Sequence, residues 1–203
     1  MISASKILRP FLLVSLSLLM AACTTISTQQ NNVNWQQQQQ LLEQIDHYQI
    51  SGKLGYTAPE QRHSFNFLWS HSPHESQLTL TTFLGQSVLK ITIDDSGATV
   101  RTREGDTYRG RDASQLIFEL TKLTIPIEHL SDWMKGLPTN ADNYTLDSNN
   151  IVANLDKTYN QTHWQLNYQA YAVSDTILLP QKMQLQQKNT SLKIVISNWT
   201  IDK

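Results

Sequence analysis

The chain has 203 residues, and its 16 Lys and Arg against 17 Asp and Glu leave a net charge of −1, which excludes the basic footprint of a nucleic-acid-binding protein. A lone cysteine rules out an internal disulfide, so stability must come from packing. The 39% apolar share, with abundant Gln, Asn, Ser and Thr, suits one soluble domain with a real core.

The first stretch reads as an export signal: Lys6 and Arg9 form its positive end, Phe11 to Met20 its apolar run, and Ala21-Ala22 its small-residue cleavage site. It is too short and wrongly flanked for a permanent membrane span. Leu19-Met20-Ala21-Ala22-Cys23 resembles a bacterial lipobox, with Met20 where Leu is usual. This implies that Cys23 becomes the lipidated first residue of the mature protein, against the plainer reading of an ordinary secretory signal whose cysteine is incidental. Lys6 and Arg9 lie in the removed part and no acidic residue does, so the remainder carries −3. Residues 24–33 lack periodicity and read as a tether. Thr24 follows the cysteine where Asp would commonly signal inner-membrane retention, so the resemblance favours the outer membrane.

Behind the glutamine run at 36–40, Leu41, Ile45 and Tyr48 fall at helical spacing with Leu42 beside them, which predicts an amphipathic helix. From Tyr48 the period becomes two. Ile50, Leu54 and Tyr56 share one strand face, followed by Phe65, Phe67 and Trp69, then Leu78 and Leu80, then Leu89, Ile91 and Ile93. Turns fall at Ala58-Pro59-Glu60, His71-Ser72-Pro73, Phe83-Leu84-Gly85 and Asp94-Asp95-Ser96-Gly97. Val100 and Thr102 alternate with Arg101 and Arg103, and Glu104-Gly105-Asp106 turns into a short strand through Tyr108.

Asp112-Ala113-Ser114-Gln115 has the form of a capping box ahead of a helical face of Leu116, Ile117, Leu120 and Leu123. Pro126 ends that helix and can start a second one carrying Ile127, Leu130, Trp133, Met134 and Leu137, stopped by Gly136 and Pro138. Strands then return at 144–146, 151–155, 164–168, 183–185 and 192–196, the last running into Trp199. Strands on both sides of a central helix pair make the class α+β. So many short strands predict a curved antiparallel sheet or barrel, with the two apolar helices against its concave side and an apolar cavity between.

The chain resembles the LolB family of outer-membrane lipoproteins. The resemblance runs through Trp35-Gln36-Gln37, Phe67-Leu68-Trp69, Leu84-Gly85 and Leu123-Thr124-Ile125-Pro126-Ile127. It continues through Trp133-Met134-Lys135-Gly136-Leu137-Pro138, Trp164, Leu179-Pro180-Gln181-Lys182-Met183 and Asn198-Trp199. It implies an antiparallel, incomplete (half-open) β-barrel with helices packed across the concave side around an apolar cavity for acyl chains. It also implies no catalysis, and no cofactor or metal. The expected division is a signal peptide at 1–22, a lipidated N-terminus and flexible tether at 23–33, and a lipoprotein-binding half-barrel at 34–203.

The implied function is to accept lipoproteins from a periplasmic, LolA-like carrier and insert them into the outer membrane, from a lipid anchor on its periplasmic face. The partners are then the carrier, the acylated cargo and outer-membrane phospholipid, with the chain itself a monomer. The competing reading is a lipid-anchored carrier or store for a small hydrophobic ligand. The family's protruding apolar loop matches Thr82-Phe83-Leu84-Gly85, where Phe83 stands in place of an expected proline. That makes Phe83, Leu84 and Gly85 the candidate membrane-insertion loop, against the simpler reading that they fold back onto the core.

Trp69, Trp133, Trp164 and Trp199, with Phe67, Leu120 and Leu130, are the candidate acyl-chain cavity, and ordinary core packing is the alternative for each tryptophan. His63, His71 and His74 lack the carboxylate and thiol company of a metal site. No Gly-x-Ser-x-Gly elbow supports an esterase. Arg101, Arg103, Arg109 and Arg111 could form a ridge for phospholipid head groups or an acidic carrier, or simply the solvated face of a hairpin.

Overall fold

A computed structural model describes residues 33–122, 125–174 and 176–202. The export signal, Cys23 and nearly all of the tether lie outside the described residues, as do Leu123 and Thr124. Helix α1 spans Trp35–Glu43. Six strands follow: β1 Tyr48–Ala58, β2 Gln61–Ser72, β3 Glu75–Thr81, β4 Ser87–Asp94, β5 Gly97–Thr102 and β6 Thr107–Gly110. Next come helix α2 at Ala113–Thr121, a 3₁₀ turn at Ile127–His129 and helix α3 at Leu130–Lys135. The remaining strands are β7 Asn143–Leu146, β8 Val152–Tyr159, β9 Thr162–Ser174, β10 Ile177–Gln187 and β11 Thr190–Ile201.

The eleven strands among the described residues join one antiparallel sheet in the order β6-β5-β4-β3-β2-β1-β11-β10-β9-β8-β7. The chain therefore starts at the middle of the sheet and meanders out to one edge. It crosses through α2 and α3 to the other edge and meanders back to close beside β1. The sheet stays open, and its edges β6 and β7 are only four residues each, which limits pairing with other chains. Twist accumulated over eleven strands curls the sheet, and bulges at Ser51/Gly52, Leu80/Thr81, Thr145/Leu146 and around Pro180 sharpen the bend. β10 starts at Ile177, well before the predicted start at Met183, and the bulge there accommodates Pro180, which cannot donate to a regular ladder.

One expectation fails locally. Helix α1 stops at Glu43, and Tyr48 opens β1 rather than completing a helical stripe. Ile45 and Tyr48 are still buried, at 3% exposure each, because the chain turns them into the core by a loop and a strand. Asn34 caps α1 by accepting from the Gln37 N–H at 3.1 Å, and the α1 residue Gln38 donates to the Leu178 carbonyl at 2.6 Å.

Asp112 caps α2 by accepting from the Gln115 N–H at 2.9 Å. Gly136 ends α3 in the left-handed region at φ +88°, where a side chain would be strained. Buried side chains then pin α3. The Tyr48 hydroxyl donates to the Ser131 carbonyl and the Tyr168 hydroxyl to the Trp133 carbonyl, both at 2.7 Å. Burial raises the pKa of both phenols, keeping them as donors. Lys135, only 4% exposed, donates to the Ile45 carbonyl at 2.9 Å and pairs with Asp132 at 3.2 Å. That buried lysine ties α3 to the segment between α1 and β1.

Candidate functional site

Cross-strand register builds the concave wall. One row runs Phe67, Leu80, Leu89, Thr102 across β2 to β5, and the next runs Ile50, Trp69, Leu78, Ile91, Val100 across β1 to β5. Every member faces inward, and every one but Thr102 is apolar. Ile117 and Leu120 of α2, Ile125 and Ile127 beyond it, and Leu130 and Met134 of α3 face these rows. Leu185, Leu192 and Ile194 of β10 and β11 complete the enclosure.

Between them lies a cavity of about 510 Å³. That volume falls within the ~300–1,000 Å³ range of pockets that enclose small apolar ligands, and its wall is almost wholly apolar. The helices cannot fill it because α3 is short and pinned over the β9 and β10 side of the sheet, while α2 packs against β5 and β6.

The same register gives the cavity a direction. Antiparallel pairing brings the connections at 59–60, 82–86, 103–106, 160–161 and 188–189 to one end of the sheet. The lining residues toward that end include Gln61, His63, Leu120 and Thr121, which are exposed. Those toward the other end, such as Trp69 and Met134, are buried at 2% and 6% exposure. The mouth therefore opens at the end that carries Phe83 and Leu84.

These two residues are the centre of a tight turn. The Gly85 N–H donates to the Thr82 carbonyl at 3.0 Å, and the Thr82 N–H donates to the Gln86 carbonyl at 2.9 Å. Gly85 supplies the left-handed φ of +81° that closes such a loop. Phe83 is 86% exposed and Leu84 71%, so neither folds back onto the core. Tips usually carry Asn, Asp or Ser, so two adjacent apolar side chains exposed to water depart from ordinary turn chemistry.

Of the predicted cavity residues, Phe67, Trp69, Leu120 and Leu130 line the cavity. The other three tryptophans do not. Trp133 and Trp164 have no exposure and pack in the main core, and Trp199 packs partly buried against it. Their indole N–H groups show why for two of them: Trp133 donates to the Thr139 carbonyl at 3.0 Å and Trp199 to the Pro180 carbonyl at 3.1 Å. Both hold backbone where loops and bulges leave carbonyls without ladder partners. Tyr56, His63, Val88, Leu185, Leu192 and Ile194 also line the cavity, outside the expected set. Alternation marked several as inward-facing, but only the third dimension shows which inward faces meet a void.

The histidines are dispersed. His63 stacks on Phe65 at the mouth, His71 meets the Ser76 hydroxyl at 2.7 Å, and His74 pairs with Asp95 at 3.0 Å on the surface. Among the described residues no group of three or more His, Cys, Asp or Glu side chains is placed to hold a metal. Arg101 and Arg109 lie on the outer face of β5 and β6, with Lys90 opposite Arg101. Arg103 donates to the Gln86 side chain at 3.3 Å, at the base of the Phe83-Leu84 turn. Among the described residues none of these cations is paired with a carboxylate.

A family model described as "Outer membrane lipoprotein LolB" matches residues 46–199. The chain is 48% identical over 188 residues to the outer-membrane lipoprotein LolB of Vibrio cholerae, covering 91% of this chain and 92% of that one. It is 44% identical over 199 residues to that of Vibrio campbellii, covering 96% and 98%. Among solved structures, a LolA superfamily protein from Nitrosomonas europaea superposes with a TM-score of 0.56 at 10% identity, over 84% of this chain and 94% of that one. A putative outer membrane lipoprotein-sorting protein domain from Vibrio parahaemolyticus gives 0.55 at 7% identity, over 83% and 91%. At such identities these two similarities speak for the fold alone.

Proposed function

The chain belongs to the LolB family of outer-membrane lipoproteins, and on that premise we propose that it receives the acyl chains of lipoproteins in its apolar cavity and inserts them into the outer membrane. The observation that carries this reading is the shared end: an apolar cavity opens beside an exposed Phe83-Leu84 turn. The donor is a periplasmic, LolA-like carrier, and the receiving surface is the phospholipid of the outer membrane's periplasmic face. The protein works there as a monomer, held by an acylated Cys23, without catalysis or a cofactor.

Transfer needs no bond to be made or broken. An acyl chain leaves one apolar environment for another, so direction comes from slightly better burial in the receiver, about 1.4 kcal/mol for each tenfold preference. The turn then dips into the lipid interface, gaining roughly 1.5–3 kcal/mol per large side chain buried. This is enough to aim the mouth at the bilayer but not to anchor the protein, which takes the lipid chains on Cys23. Arg103 at the base of the turn, with Arg101 and Lys90 beyond it, lies within a Debye length of the phosphates when the tip is inserted.

The test is reconstitution. A carrier loaded with labelled lipoprotein is mixed with the full, anchored chain in liposomes. Label should leave the carrier and become resistant to extraction from the bilayer. Cargo that stays with the carrier would overturn the proposal in favour of small-ligand carriage.

A further inference from the structure

Thr102 is the one polar member of an otherwise apolar cross-strand row, following Phe67, Leu80 and Leu89 on the inner face. It ends β5 next to the turn at 103–106, at the mouth end of the sheet, and it lines the cavity. Its Oγ1 is buried and has no hydrogen-bond partner among the described residues. Thr121, a neighbour in the lining, has a hydroxyl already engaged with the Ile117 carbonyl at 2.7 Å. The Trp69 indole N–H, also buried without hydrogen-bond geometry, lies deeper and beside the Tyr48 hydroxyl. A buried hydroxyl without an acceptor costs stability that a methyl group of the same shape would not. Valine at this position would suit both the strand and the cavity wall.

We infer that Thr102 is a specificity-determining residue whose hydroxyl donates to the carbonyl oxygen of an acyl ester lodged at the cavity mouth. This rests on the cavity's receiving acyl chains. A chain whose tail reaches toward Trp69 and Met134 leaves its polar head near the mouth, at the level of Thr102. Gln61 and His63 at the mouth are exposed and donate to water as readily as to lipid, whereas the buried Thr102 hydroxyl is a donor shielded from water that separates acyl esters from alkyl ethers of the same length. The ester can belong to the diacylglyceryl group of an acylated cysteine or to a phospholipid, and the two share this chemistry.

The test uses the full chain and its Thr102→Val variant, with binding read from tryptophan fluorescence, which Trp69 in the cavity wall makes responsive to filling. The probes are a short diacylglyceryl-cysteine peptide with ester-linked chains, its dialkyl ether counterpart, and the corresponding diester and diether phosphatidylcholines. Wild-type protein should bind the ester peptide about fivefold more tightly than the ether, which corresponds to ~1 kcal/mol. Thr102→Val should bind both as wild type binds the ether, and its thermal midpoint without lipid should rise.

Ester preference in the peptide pair alone assigns the hydroxyl to cargo, and in the phosphatidylcholine pair alone to membrane lipid. Both support the inference. Equal ester and ether affinity in wild type overturns it while leaving acyl-chain binding intact. An equal loss of both affinities in Thr102→Val, with a lowered midpoint, overturns it in favour of a structural role. No binding of any probe by wild type overturns the acyl-chain reading itself.

Discussion

Gly52 and Val195 approach so closely across the β1–β11 seam that a Cβ on Gly52 would fall on the Val195 carbonyl oxygen. The seam joins the two halves of the meander, the first and last strands of the sheet, and the bulge at Ser51/Gly52 sits in it. Gly52 is thus required by proximity, not by an unusual dihedral. Gly52→Ala should cost about 3 kcal/mol or more in urea unfolding, or fail to accumulate as folded protein. Gly55→Ala, three residues along, meets nothing nearer than the Lys193 Cβ at 3.8 Å and should be close to neutral. Equal effects at the two sites would contradict the close approach.

Leu84 is exposed, so Leu84→Glu should leave stability within about 0.5 kcal/mol of wild type. Acceptance of cargo from the carrier should persist, while insertion into liposomes falls, because a carboxylate resists entering the lipid interface. Leu84→Phe should retain both steps. Unfolding curves measured beside the two transfer steps separate these outcomes, and a destabilised Leu84→Glu protein would refute the probing tip.

Leu120 lines the cavity but is 37% exposed at its mouth. Leu120→Glu should therefore fold with little loss. It should bind acyl ligands on the order of tenfold more weakly, since each entering chain must pass a carboxylate or force its protonation. A titration with a fluorescent fatty acid measures this directly, and unchanged affinity would place the entrance elsewhere.

His71 is half-buried between the Tyr48 ring, 5.3 Å away between centroids, and the Ser76 hydroxyl. Burial, and then the positive charge of Lys135, lower its pKa below the ordinary 6.5. The unfolded chain therefore takes up the proton first as pH falls, so the contribution to stability is intact above about pH 6.5 and is lost below it. The stability difference between wild type and His71→Gln should shrink as the pH is lowered from about 7 to 5 in parallel urea titrations. A difference that stays constant would mean that His71 does not titrate against the fold.

Local pattern was enough to reveal the elements. Period-two alternation located the strands, the Asp112 box and Gly136 marked the ends of the central helices, and the misplaced apolar pair Phe83-Leu84 stood out in a turn because turns are otherwise polar. These are short-range signals, each written within a few residues by backbone geometry and solvation. The end of α1 was not legible this way, because Ile45 and Tyr48 keep helical spacing while the loop and β1 bury them. Nor was the division of the tryptophans. Trp69 and Trp164 sit in similarly alternating strands, yet the first meets a void and the second is sealed in the core.

Burial of Lys135 depends on a carbonyl ninety residues earlier in the chain. The cavity and its mouth depend on the register of eleven strands, on a short α3 pinned by Tyr48 and Tyr168, and on α2 resting against β5 and β6. Such features arise from what lies across a space rather than along the chain. Sequence by itself therefore determined the elements, their order and the apolar tip, while tertiary packing alone decided where atoms are missing and which end of the sheet the cavity opens toward.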